Sequence, residues 1–195
     1  MPREDTRLAI IREGARLIHA KGFNNTGLSD ILKAAGVPKG SFYFYFRNKE
    51  AFGLAVIDHY ATALMEVGQM TLRNGNLEPL QRLDKFFDFF RKAFQAADMH
   101  GGCPVGNLTQ EMSDLSDSFR GRMAELYSQI TGLIAGCLVE ARERGDIPRA
   151  LDAEKTAQFI FDSWEGAIMH MKLTRDIEPL LTCRDMLFSL ILKKG

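Results

Sequence analysis

The chain has 195 residues and carries 25 Lys and Arg against 25 Asp and Glu, with 46% hydrophobic and 26% charged residues. That composition excludes disordered, collagen-like and fibrous classes and suits a globular protein with a real core. Taken as a total, the zero net charge argues against nucleic acid as a partner.

The total hides a partition. Residues 1–50 hold nine basic residues against five acidic ones, a net +4, so the remainder carries sixteen against twenty, a net −4. Such asymmetry points to a nucleic-acid contact confined to one end. No run approaches the roughly 18 apolar residues of a membrane helix, and no basic stretch leads into an apolar one, which predicts a cytoplasmic protein. Cys103, Cys137 and Cys183 are few, odd in number and without CxxC spacing, which argues against a disulfide framework and a structural zinc site. The four histidines lack ligand spacing, and no cofactor is implied.

In chain order, Leu8, Ile11, Ala15 and Ile18 mark a first helix stopped by Gly22. Leu28, Ile31 and Leu32 mark a short second one, with Thr26 as N-cap and Gly36 at the C′ position. Pro38 opens a third, and Asn48 caps the next. Leu83, Phe86, Phe87, Phe90 and Phe94 define a further helix. Met123 to Ala141 define a long one closed by Gly145. Asp152 caps a helix carrying Phe161, Trp164, Ile168 and Met171, and Leu187, Leu190 and Ile191 define the last. Period-two alternation is nowhere sustained. The expectation is an all-α protein of about nine helices: a three-helix head, residues 1–50, on a helical body, residues 51–195.

Residues 26–52, TGLSDILKAAGVPKGSFYFYFRNKEAF, read as helix, Gly-containing turn, helix, an arrangement whose second helix fits a major groove about 12 Å wide. Lys39, Gly40 and Ser41 in its first turn offer charge, close backbone approach and a small polar group to phosphates and base edges. Phe42 and Phe46, four apart, should face inward with Ile31 and Val37. A two-turn helix cannot bury Tyr43, Phe44 and Tyr45 as well. Lys49, beside the free N–H groups behind Asn48, makes an anion site suited to phosphate.

On these residues the chain resembles the tetracycline repressor (TetR) family of transcriptional regulators, over about Arg7 to Ile57. The resemblance implies that Lys39, Gly40, Ser41 and Tyr43 face the major groove, that Thr26, Tyr45 and Lys49 contact the DNA backbone, and that Ser29 lies near the groove. Phe44 departs from the family, which often has a polar residue there, so a phosphate contact is lost or replaced by an apolar one. The resemblance further implies an effector-binding and dimerisation body whose last two long helices pair in a homodimer. Two heads roughly 34 to 36 Å apart would then read a palindromic operator in double-stranded DNA.

Fourteen Phe and nine Met suit an adaptable pocket, and core packing accounts for the same residues. GGCPVGNL places Cys103 in a glycine-rich turn at a helix start, where N–H groups and the helix dipole favour a thiolate. GCPVGNLTQEMSD resembles the NemR-type, cysteine-containing subgroup of the family. That likeness implies effector or redox sensing at Cys103 with Lys172; Asn107 and Trp164 are further candidate effector-sensing residues. Two other readings remain open at this point. One is an enzyme with Cys103 as nucleophile and His170 as base. The other is a ligand-binding helical protein without DNA contact.

Overall fold

The computed structural model describes residues 3–192. Among them the regular structure is helical throughout, with nine α-helices and no strand: α1 (Arg3–Lys21), α2 (Leu28–Ala34), α3 (Phe42–Tyr45), α4 (Lys49–Leu72), α5 (Pro79–Ala96), α6 (Pro104–Met112), α7 (Asp117–Arg144), α8 (Ala153–Thr174) and α9 (Glu178–Met186). The expected all-α architecture is what forms. Prolines open α5 and α6 and sit in the first turn of α9, where a missing N–H costs little.

The chain forms two compact units whose boundaries fall inside α4, at the start of α6 and inside α7. One holds the chain up to Ala63 together with Pro104–Ala124, and the other holds Leu64–Cys103 with the chain from Glu125 onward. The first unit therefore includes α6 and the start of α7 besides the head helices. Their apolar faces explain this: Leu108, Met112, Phe119 and Met123 share one buried cluster with Ile10, Ile31, Phe42, Phe52 and Val56. The rings of Phe42, Phe46 and Phe52 meet at centroid distances of 5.4, 5.7 and 5.1 Å, mostly edge to face. In α1 the buried hydrophobic residues are Ile10, Ile11, Ala15, Leu17 and Ile18, while Leu8 faces outward.

The second unit has its own core. Leu83, Phe86, Phe87 and Phe94 of α5 bury with Ile130, Ile134, Leu138 and Ala141 of α7 and Ile160, Phe161, Trp164, Ile168 and Met171 of α8. Asp152 caps α8 as expected, its carboxylate accepting from the Lys155 N–H at 3.1 Å. The C-terminal end differs from expectation. α9 runs into a π-turn, Leu187–Ile191, in which Leu192 N–H bonds back to Leu187 O; that widening keeps Leu187 in the core and turns Leu190 outward.

Candidate nucleic-acid interface

The corner between α2 and the next helix is a Schellman turn. Val37 N–H donates to Leu32 O at 2.9 Å and Gly36 N–H to Lys33 O at 3.2 Å, with Gly36 at φ +66°. After Pro38 the backbone makes a 3-10 turn, Lys39–Ser41, before the single α-turn of α3. The second helix of the pair is thus half as regular as its sequence pattern implies. Its orientation is nonetheless settled by packing: Phe42 and Phe46 are buried, and Tyr43 and Phe44 stand 69% and 60% exposed. Lys39 and Gly40 are exposed, Ser41 and Tyr45 partly buried, and Ser29 is exposed on α2. A Cβ at Gly40 would meet nothing within 4 Å, so no neighbour in the fold requires a glycine there.

Thr26 and Lys49 are engaged within the head. In place of the expected Thr26 cap, Gly27 occupies the N-cap of α2 without a side-chain bond. The Thr26 side chain is fully buried and its hydroxyl donates to Gly22 O at 2.6 Å, so it braces the turn from inside instead of facing solvent. Lys49 Nζ donates to Phe23 O at 2.7 Å and lies 4.6 Å from the Phe23 ring centre. Desolvation pulls this ammonium below its ordinary pKa, and negative Glu111 acts in the opposite direction. Asn48 behaves as expected, its side chain accepting from Ala51 N–H at 2.7 Å at the start of α4.

The cysteine segment belongs to an unusual loop. Asp98 and Met99 take φ +50° and +55°, and Gly101 and Gly102 take +80° and +70°, so four of five consecutive residues are left-handed. Met99 N–H closes onto Phe94 O at 2.8 Å, and the Arg175 guanidinium donates to Met99 O at 2.9 Å. Cys103 follows, partly buried, and its thiol hydrogen-bonds the Glu165 carboxylate of α8. Burial raises the pKa of Glu165, the thiol hydrogen bond opposes that rise, and the nearby charge of Asp162 adds to it. Trp164 is buried beside it, its ring 4.5 Å from that of Phe87. Lys172 lies seven residues after Glu165, two turns along the same face of α8, and is partly buried. Asn107 is partly buried on α6. Cys137 is a core thiol that donates to Leu72 O at 3.1 Å, and burial pushes it up to about 11.

Two residues of these sites carry no signal in the sequence, Glu111 and Glu165. Each is brought to its partner from more than fifty positions away, and although Glu111 falls within the GCPVGNLTQEMSD stretch, nothing in that stretch points to Phe23.

A short Schellman-cornered helix pair, packed on one face and presenting Lys39, Gly40 and Tyr43 on the other, defines a helix-turn-helix DNA-binding regulator. Residues 10–56 match the family model for bacterial regulatory proteins of the tetR family, and residues 79–187 match that for the tetracyclin repressor-like C-terminal domain. The chain is 34% identical to the transcriptional repressor DhaR of Mycobacterium sp. (strain GP1), over 92% of this chain and 89% of that one. It is 38% identical to the transcriptional regulator AcuR of Cereibacter sphaeroides, over 88% and 78%, and 33% identical to the transcriptional repressor NemR of Escherichia coli K12, over 90% and 88%. Among solved structures, regulatory protein TetR from Rhodobacter sphaeroides superposes with a TM-score of 0.87 at 36% identity, covering 92% of this chain and 95% of that one. The reduced form of E. coli NemR superposes with a TM-score of 0.85 at 32% identity, covering 98% and 100%. The chain belongs to the TetR family of transcriptional regulators.

Proposed function

We propose that the protein is a cytoplasmic homodimeric repressor that binds a palindromic operator through two helix-turn-helix heads and releases it on binding a small-molecule or thiol-reactive effector. The observation that carries this reading is the sidedness of α3, with two aromatic rings exposed beside Lys39 and Gly40 while Phe42 and Phe46 anchor the same short helix in the core. Exposed rings of that size are suited to sugar and thymine-methyl contact. Residues 1–50 form the DNA-binding part and residues 51–195 the effector-binding and dimerisation part. Lys39, Gly40, Ser41 and Tyr43 read the groove, with Ser29, Phe44 and Tyr45 at its edges. Thr26 and Lys49 act on DNA through the backbone turn that they hold.

An exposed apolar stripe supports the dimer. Phe159, Met169 and Leu173 lie on one face of α8, opposite the face that carries Trp164 and Met171, and Gly166 on that stripe leaves open space for a close helix. Cys103 is proposed as the effector or redox-sensing thiol, with Asn107, Trp164 and Lys172 as further candidate residues for effector sensing. Its hydrogen bond to Glu165, in a loop already bent into left-handed conformations, supports this, because loss of the thiol proton on alkylation or oxidation removes that bond.

Electrophoretic shift on the DNA upstream of the protein's own gene tests the DNA reading. Specific binding by the wild type and its loss in Tyr43→Ala are expected, and undiminished binding by that variant would overturn the assignment of α3. For the thiol, treatment with a quinone should release DNA from the wild type and not from Cys103→Ser; equal release from both excludes Cys103 as the sensor.

A further inference from the structure

The turn between α1 and α2 is gripped from two sides by opposite charges. Glu111, the penultimate residue of α6, accepts hydrogen bonds from the backbone N–H of Phe23 at 2.8 Å and of Asn24 at 2.7 Å. Lys49, at the start of α4, donates to the carbonyl of the same Phe23. Both backbone polar groups of one residue are therefore held by charged side chains, the stronger class of hydrogen bond. The fit is close: a Cβ at Gly22 would lie 2.9 Å from the Glu111 carboxylate, and Gly22 takes φ +86°. Asn24 adds a contact from its side-chain amide to the sulfur of Met112 at 3.5 Å. Phe119, at the start of α7, closes the same turn with its ring 5.0 Å from that of Phe23. α2 begins just beyond the turn. α6 is also where the chain enters this unit, directly after Cys103.

We propose that Glu111 is a positioning residue that couples α6 to the DNA-reading helix pair through the backbone of Phe23 and Asn24. The proposal rests on the reading of α2 and α3 as that pair in a dimer. With the grip intact, the register of the two heads follows the placement of α6. With it loosened, each head still recognises its half-site, and the pair no longer prefers one half-site spacing.

The experiment uses the full-length protein and the best site it selects from a random-sequence DNA pool. Binding is compared on that site, on a single half-site, and on versions with the half-sites moved apart or together by one or two base pairs. Glu111→Gln, which keeps the shape of the side chain, and Glu111→Ala are measured beside the wild type; if the Ala variant unfolds, the Gln series decides. The wild type should prefer one spacing. The variants should keep its half-site affinity and lose about tenfold or more of the spacing preference, with amide exchange at Phe23 and Asn24 faster by a similar factor. An unchanged spacing preference overturns the coupling role, as does half-site affinity that falls in step with it, which would make Glu111 a support for the head alone. A wild type that enriches no paired site overturns the DNA-reading assignment itself, and the proposal with it.

Discussion

Two glycines of the first compact unit show how a single hydrogen atom can be required for different reasons. At Gly53 a Cβ would lie 2.4 Å from the Phe119 ring and 2.6 Å from the Phe23 ring, so the side chain is excluded by packing. At Gly36 nothing lies within 4 Å, yet φ is +66°, so the exclusion comes from the backbone. Gly53→Ala should cost about 1–3 kcal/mol through overpacking of a full core. Gly36→Ala should cost about 1–2 kcal/mol through its left-handed conformation. Thermal unfolding checks both, and Gly36→Asn separates the two causes, since Asn tolerates that conformation and should lose less than Ala. Thr26 belongs to the same scale. A threonine before a short helix reads as a cap, but its hydroxyl found the Gly22 carbonyl four residues back and left the cap to Gly27.

Among the elements, α3 is where pattern and geometry part. Five aromatics in a row of short helical sequence state that some must be exposed, and the spacing of Phe42 and Phe46 states which face is inward. That much follows from periodicity, because burying one face of a helix needs apolar residues three or four apart. The replacement of its first turn by a 3-10 turn does not follow, since that depends on how Pro38 leaves the Schellman corner and where Phe42 meets Phe52. The open position of Gly40 allows a test that separates folding from recognition. Gly40→Ala should leave the unfolding temperature unchanged, because the methyl meets open space, and should weaken operator binding in the shift assay, because the backbone can no longer approach the DNA closely. A variant that binds as well as the wild type would remove Gly40 from the interface. The loop before Cys103 behaves in the same way. Its glycines announce a turn before α6, whereas the left-handed Met99 is held by Phe94 O and by Arg175, the latter a contact with no local signature.

At the scale of the whole molecule, the zero net charge is the sum of a basic head region and an acidic remainder. DNA sees the local field of the heads, so the total misleads and the partition informs. The stripe on α8 is the other large-scale feature. Leu173 is 80% exposed, in line with Phe159 and Met169, and among the described residues none buries these three side chains. Leu173→Glu should place a charge on the proposed pairing face and shift the protein toward monomer in sedimentation equilibrium. Affinity for a paired operator should fall with it, while single half-site binding persists. A dimer undisturbed by the charge would move the interface elsewhere.

Apart from Leu8 and Leu190, which face outward against their spacing, the all-α class, most of the inward-facing positions, the caps at Asn48 and Asp152, and the basic head were readable in the chain itself. They depend on residues within a turn or two of each other and on periodicities that survive without knowledge of neighbours. The assignment of α6 and the start of α7 to the head's packing unit, the capture of Phe23 by Glu111 and Lys49, and the pairing of Cys103 with Glu165 came from tertiary contact. Glu111 reaches its turn across 88 positions of sequence, and Glu165 meets Cys103 only because α8 packs where it does. A carboxylate leaves no mark in the sequence of the distant backbone amide or thiol that it will bind, so such partners exist only once the chain has packed.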